Sequence, residues 1–257
     1  MSEASAPTPL PSALKRAMAL LIDPPAQPDA ADGYLNLLGS TDAVPATNKG
    51  PVQQLWASEL GSQLYDIAQG LVRRLRVAWQ LEADWLNLPA DGVAIDVGSG
   101  PGNVTSALAR AAGPDALAIG VDIAEAMLAR AVAAEASANV GFVRADAQHL
   151  PFRDEIADAV VSMAALQLIP DTGAALREMV RVLRPGGRLA VMVPTSGAGP
   201  LARLGELIPD AVGVRFFDGD EIADALLDEG LSKVKVNQHG VVQWVRGGKA
   251  AALPTVG

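Results

Sequence analysis

Apolar and polar positions alternate in blocks whose period changes along the chain. Val93, Ala94, Ile95 and Val97 form a short apolar run interrupted by Asp96, which reads as a buried strand. Gly98-Ser99-Gly100-Pro101-Gly102 follow as a tight turn. Val104, Leu108 and Ala111/Ala112 then recur at helical spacing. The rhythm repeats. Residues 116–121 read as a strand ending at Asp122, 124–137 as an alanine-rich helix, 140–144 as a strand leading to Asp146, and 158–164 as another strand. Asp171 or Thr172 caps a helix whose apolar face holds Leu176, Met179, Val180 and Leu183. Arg184-Pro185-Gly186-Gly187 read as a turn before a strand at 188–193. Strands alternating with helices predict parallel pairing with helices on both faces. A helix at 220–229 stopped by Gly230, and apolar runs at 234–236 and 241–245 around His239-Gly240, predict a closing antiparallel hairpin.

The first ninety residues read differently. Residues 1–12, rich in Ser, Pro and Ala, are expected to be a flexible tail. Leu14, Met18 and Leu21 predict a helix over 13–22, stopped by Asp23-Pro24-Pro25. Residues 34–38 form a small apolar patch between Gly33 and Gly39, and 40–51 read as loop. From 51 to 88 the pattern is helical: Leu55, Trp56, Leu60, Leu64, Ile67, Leu71 and Leu75 recur at threes and fours, Trp79, Leu81 and Trp85 extend it, and Pro89 ends it. Three of the four tryptophans, with Tyr65, thus precede the glycine turn. Residues 13–89 are expected to be a helical cap on the substrate side, a layer on the sheet that also forms part of a pocket; a lid is the sharper version of the same reading. Residues 90–257 form the ligand-binding domain.

Composition narrows the chemistry. The 257 residues include no cysteine, which excludes disulfides and thiolate catalysis, and two histidines, His149 and His239, too few for a histidine-rich metal site. Net charge is −9 with no Lys/Arg run, so nucleic acid is not an expected partner. No basic n-region precedes an apolar core at the N-terminus, and no apolar run is long enough to span a bilayer; a cytoplasmic protein without integral membrane contact is expected.

In an open parallel sheet, ligands sit at the carboxyl ends of the strands. Three successive strands end at Gly98–Gly102, Asp122 and Asp146, one βα unit apart. Asp122 read alone is an ordinary helix cap and Asp146 an ordinary turn residue; the ordered set is more specific. A dinucleotide fingerprint requires a third glycine where this chain has Asn103, and no Lys-Ser/Thr follows the turn as a phosphate loop requires. Asp96, buried just before the turn, can hold backbone N–H groups or a ligand ammonium but disfavours a pyrophosphate.

From 92 to 193 these residues resemble the class I S-adenosylmethionine-dependent methyltransferases of small-molecule type, including quinone-biosynthesis enzymes. IDVGSGPG resembles the motif that lies against the methionine part of the cofactor, GVDIAEAML the motif whose acidic residue binds the ribose hydroxyls, and RADAQHLPF the motif near the adenine amino group. ALQLIPD and REMVRVLRPGGRLAV resemble the region from the fourth strand to the fifth. The resemblance implies an α/β fold: a Rossmann-like, seven-stranded, mostly parallel sheet with an antiparallel C-terminal hairpin and an added N-terminal helical layer. It implies S-adenosyl-L-methionine as cofactor and S-adenosyl-L-homocysteine as product. Asp96, Gly98, Ser99, Gly100, Gly102, Asp122, Ile123, Asp146, Ala147 and Met163 would be its binding residues, Asp122 on the ribose, Ile123 on the adenine face, Asp146 on the amino group and Ala147 through its backbone.

Methyl transfer from a sulfonium is an in-line displacement with a neutral leaving group, so alignment and exclusion of water carry most of the catalysis. A base is needed only if the acceptor keeps its proton up to the transition state. Many relatives carry a histidine pair where this chain has Leu166-Gln167-Leu168, so no base is carried over. His149, Tyr65 and Gln167 are the candidates for a base or an acceptor-orienting group, with Tyr34 and His239 behind them; each also has an ordinary surface or core role. Asp158 and Asp171 flank the fourth strand without a further ligand set, so no metal is expected, and Asp158 is read as structural. The acceptor is expected to be small and partly apolar, methylated on O, N or C, and a homodimer is compatible with the chain. Two other readings remain open: a non-catalytic S-adenosylmethionine-binding or interaction protein on the same fold, and a nicotinamide oxidoreductase, which Asn103 and Asp96 disfavour.

Overall fold

The computed structural model describes residues 9–39, 84–195, 215–240 and 242–251. Its centre is one sheet of eight strands in the order β1-β4-β3-β2-β5-β6-β8-β7. The strands are β1 (Leu35–Asn36), β2 (Val93–Val97), β3 (Leu117–Asp122), β4 (Val140–Arg144), β5 (Ala157–Met163), β6 (Leu183–Pro194), β7 (Leu231–His239) and β8 (Val242–Lys249). Pairing is parallel from β1 through β6, and β8 runs antiparallel to both β6 and β7. The chain leaves β2 toward β3 and β4 on one side and returns to β5 on the other. That reversal of order opens a crevice at the carboxyl ends of β2 and its neighbours.

Five described helices cover the sheet: α1 (Ser12–Met18), α2 (Asn103–Ala112), α3 (Glu125–Glu135), α4 (Thr172–Val182) and α5 (Glu221–Asp228). Period-two alternation in the strands divides the core. Ile95, Val97, Ile119, Val121, Val160 and Val191 face α1, α4 and α5, while Ala94, Ala118, Phe142, Ala159, Val161 and Ala190 face α2 and α3. The second face is built from small residues around one large ring. A Cβ at Gly102 would lie 2.6 Å from Phe142 Cζ, and one at Gly120 would lie 2.6 Å from Phe142 Cδ1. Phe142 therefore fills the space that two absent side chains leave beneath the glycine turn.

The sheet exceeds the seven strands expected. Leu35 and Asn36 pair with Val143 and Arg144, turning the small apolar patch at 34–38 into a two-residue edge strand too short for periodicity to read. α1 ends at Met18 instead of reaching 22, because Leu21 leaves the helix to bridge Phe152 and Ile22 N–H donates to Pro151 C=O at 2.9 Å. Residues 184–187, expected as a turn, lie within β6, where they form an irregularity in the ladder between Leu183 and Arg188. β7 and β8 are longer than the two apolar runs suggested, since β7 is an edge strand carrying exposed Lys233, Lys235 and Gln238 that apolar patterning misses. Asp171, of the two caps offered, holds α4 by accepting from Ala174 N–H at 2.8 Å. The helical pattern at 51–83 and the tail at 1–8 lie outside the described residues. Of that N-terminal layer the structure places α1, β1 and a short helical turn at 84–86. Trp85 there stands between Arg188 and Arg246, 5.4 and 5.1 Å from its ring centre, and Arg188 also donates to its carbonyl.

Phe142→Ala is expected to cost about 3–5 kcal/mol of folding stability, the range for emptying a packed aromatic site. Urea unfolding followed by circular dichroism measures it, and a loss below about 1 kcal/mol contradicts the supporting role given to the ring.

Candidate functional site

Three strand ends are strapped together in sequence. Gly98 and Ser99 N–H donate to Val121 C=O at 2.8 and 3.0 Å, tying the turn after β2 to the end of β3. Gly100 N–H donates to Asp122 Oδ2 at 2.8 Å. Ala145 N–H donates to Asp122 C=O at 3.2 Å, tying the segment after β4 to β3 in turn. Gly98, Ser99, Gly100, Gly102, Asp122 and Asp146 are thereby brought along one edge of the sheet. The turn is confined from β5 as well: a Cβ at Gly98 would collide with that of Ala165. Gly98 and Gly102 have φ of 73° and 83°, a backbone region that favours glycine.

The outer edge of the turn is open. A Cβ at Gly100 would meet nothing within 4 Å, whereas Ser99 Oγ is buried without a hydrogen-bond partner. The open side at Gly100 leaves room for a polar ligand group, while the Ser99 hydroxyl faces inward against Gly120. The turn fits the methionine end of S-adenosylmethionine through its carbonyl oxygens, since the N–H groups of Gly98, Ser99, Gly100 and Gly102 are already bonded within the protein.

Asp96 is 1 % exposed and accepts Thr105 Oγ–H at 2.7 Å; the Thr105 backbone N–H also favours its carboxylate. Gly102, at the start of α2, has no capping side chain. Asp96 therefore does for α2 what a cap would, from the neighbouring strand. Burial, the largest influence, raises its carboxyl to about 7; the Thr105 hydroxyl opposes that rise and the Asp122 charge adds to it. Thr105 is missing from the sequence reading. Its signal is faint, a hydroxyl in the first turn of a helix that follows a buried acid.

Asp122 sits at the crevice, with Oδ1 accepting Ala124 N–H at 2.9 Å and Oδ2 accepting Gly100 N–H. Loss of solvent raises its carboxyl, against the lowering effect of the Ala124, Gly100 and Ile123 N–H groups. Ile123 is held by Arg144, whose Nε donates to its carbonyl at 3.2 Å. The same buried guanidinium reaches Gly39 C=O at 2.6 Å and Glu125 at 2.8 Å. Sequence reasoning took Arg144 only as the last residue of a strand; its role as a hub depends on β1, which the pattern did not show.

Asp146 is nearly buried, and its Oδ1 accepts Gln148 N–H at 2.9 Å, with Ala147 between them. His149 is exposed, so it stands at the outside of this loop. Gln167 folds back on its own turn, Nε2 donating to Ala164 C=O at 2.7 Å. Met163 closes β5 and packs on the α2/α3 side of the sheet. Tyr34 is buried in that same cluster, its phenol raised first by burial and then by Glu125. His239 ends β7 on the exposed hairpin. Asp158 lies at the opposite end of the sheet, accepting Val93 N–H at 2.8 Å and pairing with Arg184. Tyr65 lies outside the described residues. Among the described residues no group of three acidic or histidine side chains could hold a metal, and no helix is long and apolar enough to cross a membrane.

Residues 95–191 match the family described as "Methyltransferase domain". A demethylmenaquinone methyltransferase of Roseiflexus castenholzii is 38% identical over 120 residues, which are 47% of this chain and 50% of that protein. The ubiquinone/menaquinone biosynthesis C-methyltransferase UbiE of Pseudomonas fluorescens is 35% identical over 131 residues, 49% of this chain and 50% of that protein. The chain spans about half the length of the curated relatives it matches. In fold it is similar to a solved S-adenosylmethionine-dependent methyltransferase of Thermotoga maritima, with a TM-score of 0.59, 23% identity, and coverage of 76% of this chain and 99% of that one. Residues 95–191 are thus similar in sequence to a methyltransferase domain, and the fold is shared with an S-adenosylmethionine-dependent methyltransferase. Among the sequence relatives are enzymes of quinone biosynthesis.

Because the folded state binds the Asp96 proton more tightly than the unfolded chain, whose ordinary value is 3.8, Asp96 lowers stability as pH rises from about 4 to about 7. Asp96→Asn is expected to remove that loss, which is on the order of a few kcal/mol. Denaturant titrations of both proteins at pH 5 and pH 8 check it: the variant gains on the wild type at the higher pH, and parallel pH profiles contradict the raised carboxyl.

Proposed function

We propose that the chain is an enzyme that transfers a methyl group from S-adenosylmethionine to a small, partly apolar acceptor, and that this acceptor is a reduced quinone ring. The observation that carries the cofactor half is the row of strapped strand ends, with a glycine turn, Asp122 and Asp146 in order across β2, β3 and β4. The names of the relatives support the acceptor half, since those enzymes act in menaquinone and ubiquinone biosynthesis.

When bound, S-adenosylmethionine supplies a methyl group on a positively charged sulfur, so the driving force is the cofactor's own. The chain's residues bind and orient. The carbonyl oxygens of the glycine turn hold the amino-acid end. Asp122, already polarised by two N–H donors, accepts the ribose hydroxyls. Ile123, fixed through Arg144, lies on the adenine face, and Asp146 accepts the amino group. Asp96 stiffens the start of α2 beneath the turn, and Met163 offers an apolar wall. A reduced quinone is activated at ring carbon by its own hydroxyl groups, so its proton can leave after the new bond forms. This suits a crevice in which His149 points outward and Gln167 is folded back.

Titration calorimetry of the full chain with S-adenosylhomocysteine is expected to show binding. Asp122→Ala is expected to weaken it by about 1–2 kcal/mol, the loss of charge-assisted hydrogen bonds. Unchanged affinity removes Asp122 from the ribose role, and absence of binding in the wild type overturns the cofactor half. Incubation with labelled S-adenosylmethionine and a 2-alkyl-1,4-naphthoquinol is expected to put the label on a ring carbon, read by mass spectrometry. Cofactor binding without transfer to naphthoquinols or benzoquinols overturns the acceptor half alone.

A further inference from the structure

Two carboxyl groups bracket the glycine turn. Asp96 stands in β2 just before Gly98 and is buried, and Asp122 ends β3 and holds Gly100 N–H at 2.8 Å. Asp96 lies between Gly120 of β3 and Val161 of β5 in the sheet, and α2 presents Thr105 to it. Among the described residues the one charge that bears on it is Asp122. Asp122 in turn is held by the N–H groups of Ala124, Gly100 and Ile123. These neutral donors offset the loss of solvent, but they leave two like charges in one low-dielectric region. Such a pair is relieved in two ways: one acid keeps its proton, or a cation comes alongside. The turn is open at Gly100, where a ligand cation has room to do so.

We propose that Asp96 and Asp122 discriminate the cationic methyl donor from its neutral-sulfur product, Asp96 releasing its proton to solvent when the donor binds and taking it back once the product is left. The proposal deepens the cofactor reading above and rests on it. S-adenosylmethionine and S-adenosylhomocysteine share their amino-acid and adenosine ends. They differ at sulfur by a methyl group and one positive charge. The field of the carboxyl pair acts on that charge without a contact to the sulfur. Burial, opposed by the Thr105 hydroxyl, holds the Asp96 carboxyl at about 7, where a nearby charge readily decides whether the proton stays. A cation favours the ionised form, so donor binding draws the carboxyl down and strengthens as pH rises. After transfer the positive charge has left with the methyl group, and the product is held less firmly than the donor would be. The pair thus favours replacement of product by fresh donor.

Titration calorimetry of the full chain with each of the two ligands, without acceptor, tests this. Runs at pH 7 in phosphate and in Tris, which differ in heat of ionisation, count the protons exchanged on binding. The donor is expected to release up to about half a proton more than the product, the protonated fraction of a group that titrates near that pH. Between pH 6 and pH 8 the ratio of donor to product affinity is expected to rise about fivefold, the effect of drawing the carboxyl down by about one unit. Asp96→Asn, neutral at every pH, is expected to lose both effects and to bind the product nearly unchanged. Thr105→Val removes the O–H that favours the ionised form, so the rise in the ratio is expected to move to higher pH; it carries the test if the Asn variant does not fold, and an unmoved profile contradicts the proposal. A proton excess that persists in Asp96→Asn belongs to the ligand's own amine and overturns the proposal. Equal losses of donor and product affinity in that variant overturn it as well, as does a wild-type ratio that is flat with pH. Failure of the wild type to bind either ligand overturns the cofactor reading, and the proposal with it.

Discussion

The site depends on a steric constraint, the absence of side chains where β2, β3 and β5 converge. The Phe142 ring rises between Gly102 and Gly120, and Ala165 presses on Gly98. Only because nothing projects from those three positions can the turn lie flat enough for Gly98, Ser99 and Gly100 to reach the end of β3. A methyl group added there would lift the turn from its hydrogen bonds and move the start of α2. It would thus disturb the crevice twice, through the backbone donors and through the Asp96–Thr105 contact that seats the helix. Packing and recognition share the same few ångströms.

Much of this was legible from pattern. The strand at Val140–Arg144 was read with its observed bounds, and those at Val93–Val97, Leu117–Asp122 and Ala157–Met163 to within a residue at each end, because buried parallel strands are nearly continuous apolar runs. The edge strands were less legible. β7 has one buried residue, Leu231, among polar ones, and β1 has two residues in all. The acidic residues at the strand ends could be seen in order, since a βα repeat places each at the same point of its unit. Their partners could not. Thr105, Arg144 and Gln148 act through contacts to residues 9, 21 and 23 positions away, or more than 100 in the case of Gly39, and no local pattern encodes those distances.

The buried acids at the crevice are costly singly and together, and donors on the backbone and on Thr105 offset that cost. Asp96 and Asp122 repel each other, and each is held by N–H or O–H donors, with no opposite charge paired to Asp96 or Asp122 among the described residues. Dipoles of a turn and two helix starts take the place of counter-ions. A cationic ligand arriving beside them meets a negative field without first having to displace a lysine or arginine. Three arginines near the sheet are paired with other acids: Arg144 with Glu125, Arg181 with Glu178 and Asp154, Arg184 with Asp158.

Arg144 and the Arg188–Trp85–Arg246 stack have a joint consequence for where the chain leaves and rejoins the sheet. One fixes the chain at Gly39 near the β1 edge; the other fixes it at Trp85, across the sheet over β6 and β8. Both anchors are made by side chains that stand on the sheet, Arg144 on β4, Arg188 on β6 and Arg246 on β8. The points at which the chain departs after β1 and rejoins at Trp85 are therefore set by the same sheet that carries the strapped strand ends.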